Sequence, residues 1–309
     1  MDIFGQQLIN GLVLGSIYAL VALGYTMVYG ILELINFAHG EVTMFGAMIG
    51  IAVMDALMTS TTGMPGIVVL MAGLAASIAA CMGIGFSLER VAYRPLRQAP
   101  RLAALITAIG MSIVLQNVAM LIWGKQYINF PPVVTLEKYA VGGATITNMQ
   151  IAIVILSCVL MMALIALVRF TRLGRAMRAT AQSTETASLM GINVNHVISA
   201  TFVLGAMLAA IAGVMNAAYY GIAHYTMGFT LGLKAFSAAV LGGIGNIPGA
   251  MLGGLLLGVI ESLGAGYLGQ LTGGFLGSHY QDVIAFFVLI LVLVLRPSGL
   301  LGERVGERS

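Results

Sequence analysis

Met149-Gln-Ile-Ala-Ile-Val-Ile-Leu-Ser-Cys-Val-Leu-Met-Met-Ala-Leu-Ile-Ala-Leu-Val168 runs for 20 residues without an Asp, Glu, Lys or Arg. A helix of that length is about 30 Å long, which is the thickness of the hydrocarbon core of a bilayer. Arg169, Arg172, Arg175 and Arg178 follow at once. The composition of the whole chain agrees with this stretch. Hydrophobic residues make up 60% of the 309 residues and charged ones 8%, where a soluble domain carries about 25% charged residues. Such a chain cannot cover a water-facing surface, and it is far too apolar to stay disordered. Two cysteines exclude a disulfide scaffold. The expected fold is an all-α integral membrane protein.

Working outward, apolar runs of spanning length lie at about Leu8–Gly30, Val42–Leu57, Gly66–Leu88, Leu102–Trp123, Met149–Val168, Val197–Tyr219, Ala250–Leu268 and Tyr280–Leu295. Phe229–Gly243 is a shorter run, either a ninth crossing or a re-entrant segment. The expectation is a polytopic bundle of 8–9 spans with broken or re-entrant segments, forming a single transmembrane domain over residues 1–309. The first residues, Met1–Gln7, carry Asp2 and no basic residue, and the run beyond exceeds a signal-peptide core. The first span is therefore expected to be retained.

All eleven arginines fall in three segments, at 90–101, 169–178 and 296–308. Basic residues collect in loops on the cytoplasmic side, so these segments are expected inside and the N-terminus outside. No basic patch is interleaved with exposed aromatics, so a nucleic-acid partner is not expected. A shift of 190 residues aligns Val13, Leu14, Gly15, Ala19, Ala22 and Tyr29 with Val203, Leu204, Gly205, Ala209, Ala212 and Tyr219. If this is a true repeat, its copies are inverted, as is common in transporters.

No energy-converting motif is present. The single Gly-Lys pair, Gly124-Lys125, precedes Gln126 and makes no phosphate loop. Neither HExxH nor CxxC occurs, and His39 with Glu41 is too small a set of ligands for a metal. No catalytic residue, cofactor or metal is expected.

Polar groups inside a membrane are costly and therefore informative. One group is Glu33, Asn36, His39 and Glu41, which reads either as an unwound segment lining a cavity or as a polar turn at the membrane surface. Gln116, Asn117 and Asn216 read as path-lining amides or as hydrogen-bonding glue between helices. Lys234 and Glu261 sit in a Gly-rich region, where a lone Lys would be costly and a partner would offset it. The candidate substrate path is thus Asn36, His39, Glu41, Gln116, Asn117, Asn216, Lys234 and Glu261. The stretch Gly245-Asn246-Ile247-Pro248 cannot lie mid-helix and reads as a break buried in protein or lining water.

The loop at about 169–196 carries a helix signature. Ser183 can serve as N-cap with Glu185 in the first turn, and Gly191 as the stop. Such a helix beside the membrane suits a permease that inserts into a motor subunit. Thr180, Ser183, Glu185, Ala187 and Gly191 are the candidate coupling residues.

Glu185-Thr-Ala187-x-x-x-Gly191 resembles the coupling loop of ABC importer permeases, without the Ile-x-Leu-Pro continuation of the maltose type. The chain at large resembles the high-affinity branched-chain amino acid permease family, LivH type. The matching stretches are Ile35-Asn-Phe-Ala-His-Gly-Glu41, Glu89-Arg-Val-Ala-Tyr-Arg-Pro-Leu96, Ala108-Ile-Gly-Met-Ser-Ile113, Gly191-Ile-Asn193 and Lys234-Ala-Phe-Ser-Ala-Ala-Val-Leu-Gly-Gly-Ile-Gly-Asn-Ile-Pro-Gly-Ala-Met251. The resemblance implies a multi-pass subunit of the bacterial inner membrane that moves Leu, Ile and Val. It implies as partners a homologous second permease, two ATP-hydrolysing subunits and a periplasmic binding protein. Urea and short-amide permeases share several of these stretches. An ion-coupled secondary transporter using Glu33, Glu41 and Glu261 is a rival reading, and it predicts uptake by this chain alone.

Overall fold

A computed structural model describes residues 2–60, 63–97, 99–141, 143–271 and 280–302. Eleven helices dominate the described residues: α1 (Asp2–Leu32), α2 (His39–Ser60), α3 (Gly66–Leu88), α4 (Arg101–Trp123), α5 (Asn148–Phe170), α6 (Arg172–Gln182), α7 (Thr184–Leu189), α8 (Val194–Tyr220), α9 (Met227–Gly242), α10 (Ile247–Leu271) and α11 (Gln281–Leu295). Among the described residues, seven helices are long and apolar enough to cross a membrane, and α9 and α11 are apolar but shorter. The 16 residues of α9 give about 24 Å, less than the hydrocarbon thickness. This is the segment read from sequence as a short crossing or a re-entrant one. The chain is an all-α polytopic membrane protein.

The spans run longer than their apolar cores suggest. Backbone groups have no water to bond in the membrane, so a helix continues until a specific feature ends it. For α1 that feature is Glu33, at φ 52°, where the left-handed conformation breaks the ladder. For α3 it is Pro95. The helix first widens into a π turn over Glu89–Tyr93 and then tightens into a 3₁₀ turn over Arg94–Leu96, because Pro95 cannot donate its missing N–H. The predicted break at Gly245–Pro248 lies between α9 and α10. Gly243 and Gly245 have φ 106° and 93°, and Pro248 falls in the first turn of α10, where its missing donor does no harm.

The long loop before α5 contains strands that the sequence reading did not expect. β1 (Ile128–Asn129) pairs antiparallel with β4 (Ile222–Ala223), and β2 (Lys138–Val141) pairs antiparallel with β3 (Ala144–Thr147). The signal for the hairpin was present in part, since in the sequence Gly142-Gly143 precedes the alternating run Ala144-Thr-Ile-Thr147 and two glycines are a hairpin-turn composition.

The chain divides into two compact units. One comprises Met1–Thr26, Leu136–Met161 and Lys234–Ser309. In it α1 lies against α10 through small residues: Gly15 meets the backbone of Leu255 and Gly254, and Gly258 meets Gly11 and Gly15. In lipid there is little hydrophobic gain from helix contact, so close backbone approach supplies the packing. Ser262 Oγ donates to Gln7 O at 2.8 Å across the same seam. Gln6 exchanges two hydrogen bonds with the backbone of Thr145 in β3.

The other unit comprises Met27–Thr135 and Met162–Leu233. Its core lies among α2, α3 and α8, where Met44, Met48, Ile51 and Met54 are buried with Ala206, Ala210 and Val214. Gly46 faces Ala210 and Gly213 faces Thr43 backbone to backbone. Ser77 Oγ donates to the Gly46 carbonyl at 2.6 Å. Phe45 packs edge-on to Trp123, with ring centroids 5.8 Å apart.

Candidate functional site

The polar cluster of the second unit grows from the break between α1 and α2. The chain turns through Asn36, whose carbonyl accepts from His39 N at 3.0 Å, and α2 then starts at His39. His39 and Glu41 therefore stand in the first turn of a helix, where the dipole favours a carboxylate. Asn36, His39 and Glu41 are all buried, Glu41 to 1% exposure, whereas Glu33 is exposed.

Two distant helical segments complete the cluster. Tyr93, in the π turn after α3, donates its hydroxyl to Asn36 Oδ1 at 2.7 Å. Ser112, in α4, donates to Glu41 Oε1 at 3.1 Å. Glu41 Oε2 is buried and accepts no hydrogen bond from the described residues. Gly228, at the start of α9, lies so close to Glu41 and the Gly40 carbonyl that a Cβ there would collide with both. Gly40 in turn rests on Gly228 and Gly232. The result is a buried cluster of hydrogen-bonding groups held by a glycine seam. Tyr93 and Ser112 were missed by sequence reasoning, because nothing in an apolar span marks which residue a distant side chain will meet.

The structure places the amides differently. Asn216 is buried in α8. Gln116 is half-buried. Asn117 is exposed and folds back on its own helix, donating to Ile113 O at 2.8 Å.

Lys234 and Glu261 lie in the other unit and meet directly, with Nζ 2.7 Å from Oε1. Asp282 at the start of α11 is a second partner at 2.8 Å, and the ammonium lies 5.8 Å from the Tyr18 ring centroid. The sequence reading named the first pair and missed Asp282.

The loop at 169–196 holds two helices where the sequence signature gave one. Thr171 caps α6 by accepting from Gly174 N at 3.0 Å. Along α6 the buried residues are Gly174, Met177 and Thr180, with Arg172, Arg175 and Arg178 pointing outward. Gly174 packs on the backbone of Leu167 and Val168, where no Cβ would fit. Ser183 ends α6 and caps α7, accepting from Thr186 N at 3.1 Å. At the far end Gly191 N donates to Ser188 O and Ile192 N to Ala187 O, both at 3.0 Å. That is a Schellman motif, and Gly191 supplies its left-handed residue at φ 80°. Ala187 is buried and Glu185 exposed. The apolar side chains of Leu189 and Met190 stand 84% and 79% exposed at the tip.

Two long spans, α5 and α8, thus frame a capped helical protrusion with an apolar tip, and no phosphate loop accompanies it. The family described as "Branched-chain amino acid transport system / permease component" matches residues 7–293. The chain belongs to this family. The permease is 48% identical over 310 residues to the high-affinity branched-chain amino acid transport system permease protein LivH of Escherichia coli K12, covering 99% of this chain and 97% of that one. It is 49% identical over 308 residues to BraD of Pseudomonas aeruginosa, covering 98% and 97%. A partial likeness, 33% over 130 residues, links it to the ribose import permease RbsC of E. coli, covering 40% and 38%.

Proposed function

We propose that this permease is the membrane subunit of an ABC importer that carries leucine, isoleucine and valine across the bacterial inner membrane. It works with a homologous second permease, two ATP-hydrolysing subunits and a periplasmic binding protein. The protrusion formed by α6 and α7 carries this reading. Its apolar tip, Leu189 and Met190, is largely exposed among the described residues and offers a knob that an ATPase groove would bury. Thr180 and Ala187 are packed inward, Ser183 and Gly191 cap the ends of α7, and Glu185 stands exposed in its first turn. ATP-driven closure of the motor would pull on this short element and shift the spans on either side of it.

A branched-chain amino acid is a zwitterion with an apolar tail. A path of apolar wall and a few hydrogen-bonding groups lets it pass without trapping it, and tight binding can reside in the periplasmic protein. Asn36, His39 and Glu41, with Tyr93 and Ser112 behind them, supply such groups. The assembled complex in liposomes, loaded with ATP and given the binding protein, is expected to accumulate labelled leucine. The permease alone under a proton or sodium gradient is expected to accumulate none. Uptake by the subunit alone would instead establish an ion-coupled carrier.

A further inference from the structure

α3 and the turns after it form one continuous helical stretch of 31 residues, Gly66–Leu96, uncharged as far as Leu88 and carrying Glu89, Arg90 and Arg94 beyond it. The hydrocarbon core takes up only about 20. The last turns, from about Phe86 onward, therefore extend into the headgroup layer. The first turns of α8 reach the same level, since Gly85 packs against Phe202 and Ala206 of α8.

Between these two ends lies a cavity of about 580 Å³ lined by Phe86, Arg90, Arg94, Asn195, His196 and Val203, among others. Its charge is one-sided. The nearby carboxylate of Glu89 is fully buried and already bound: Arg97 holds Oε1, and Ser199 Oγ donates to Oε2 at 2.7 Å. Among the described residues, Arg90 and Arg94 form no ion pair, and no acidic side chain lines the cavity. Arg90 stands over the Phe86 ring, 5.9 Å from its centroid. Phe86 and Val203 continue as an apolar wall toward the membrane.

We infer that this cavity binds the headgroup of an anionic phospholipid, with the Arg90 and Arg94 guanidiniums on its phosphate and an acyl chain along Phe86 and Val203. Planar guanidiniums bond phosphate oxygens in pairs, and basic pockets between spans at this depth suit anionic lipid. A soluble ATPase would have no use for a wall that runs on into the hydrocarbon.

The test is native mass spectrometry of the full-length permease, titrated with phosphatidylglycerol, phosphatidylcholine or inorganic phosphate. Phosphatidylglycerol is expected to bind in preference to both others. The R90Q/R94Q variant is expected to lose phosphatidylglycerol affinity by about thirtyfold, at roughly fivefold per charge near a membrane surface. A200F, which fills the cavity without touching a charge, is expected to lose it comparably. R169Q/R172Q, which removes the same charge elsewhere, is expected to retain it. Equal loss in R169Q/R172Q would reduce the effect to general surface attraction and overturn the site. Binding of inorganic phosphate as tight as that of the lipid would make it an anion pocket. If R90Q/R94Q kept the lipid but failed to capture the ATPase subunits in lipid-free detergent, the cavity would belong to the motor interface.

Discussion

Lys234 and Glu261, 27 residues apart in sequence, hold each other at 2.7 Å between α9 and α10. Glu261 is buried to 1% exposure, and the second partner of the lysine, Asp282, is about half exposed. The three charges tie α9, α10 and α11 to one point of the unit they share. Each helix is apolar nearly all round, so surface pattern alone does not fix how it is rotated. A buried charge pair does, because only one rotation brings both partners together.

The first prediction follows from that asymmetry. In K234M two carboxylates lose their cation, and removing one partner of a buried pair is expected to lower stability by about 3–5 kcal/mol. E261Q leaves Lys234 with Asp282 and is expected to lose less. The swap K234E/E261K is expected to recover part of the loss. Thermal unfolding of the purified permease in detergent measures all three, and an equal loss in K234M and E261Q would refute the role of Asp282.

A second prediction concerns the glycine seam between α1 and α10. A Cβ on Gly258 would run into the backbone of Gly11 and Gly15, whereas one on Gly110 in α4 would meet nothing within 4 Å. Gly258→Ala is expected to destabilise by at least about 1–3 kcal/mol, the usual result of overpacking. Gly110→Ala is expected to leave stability unchanged or raise it by up to about 1 kcal/mol through helix propensity. Expression level and melting temperature read both.

The spans were legible in the sequence because the bilayer demands about 20 apolar residues per crossing. Met149–Val168 could hardly be anything else. Ser183, Glu185 and Gly191 marked α7 because capping chemistry is local. Lys234 and Glu261 were legible as a pair because a charge in a span needs a partner. The bonds from Tyr93 to Asn36 and from Ser112 to Glu41 were not, since they join residues 57 and 71 apart on helices that carry no clear polar face. The other helix of the loop at 169–196, α6, was hidden by its arginines. They read as a topological signal, and their spacing of three, which leaves Gly174, Met177 and Thr180 inward, passed unnoticed.

The end of α7 yields a third prediction. A residue with a Cβ at φ 80° is strained by about 1–2 kcal/mol, so Gly191→Ala is expected to fray the helix end and lower ATP-dependent uptake. Gly191→Asn, which tolerates the left-handed region better, is expected to retain more. Leu189→Asp and Met190→Asp are expected to leave stability within about 0.5 kcal/mol of wild type, as substitutions at exposed positions usually do. They are also expected to weaken capture of the ATPase subunits in pull-down. Unchanged capture in both would remove the tip from the motor interface.

The last prediction separates structure from transport at Asn36. Removing its side chain in N36A takes away the acceptor of the Tyr93 hydroxyl inside a buried cluster, where losing a partner costs about 1–3 kcal/mol. Y93F removes the same bond from the other side. In a double-mutant cycle the two are expected to be coupled by at least about 0.5 kcal/mol, as contacting residues are. N36D keeps an acceptor of the same shape for the Tyr93 hydroxyl, but it buries a carboxyl group in the cluster that already holds Glu41, so its melting temperature is expected to stay below that of wild type. If Asn36 only braces the fold, uptake follows stability across the variants. If it faces the path, the added carboxylate repels the carboxylate of a passing amino acid, and N36D is slower in transport than an N36A of equal or lower stability. We expect the second outcome, measured as leucine uptake against melting temperature across N36A, N36D and Y93F.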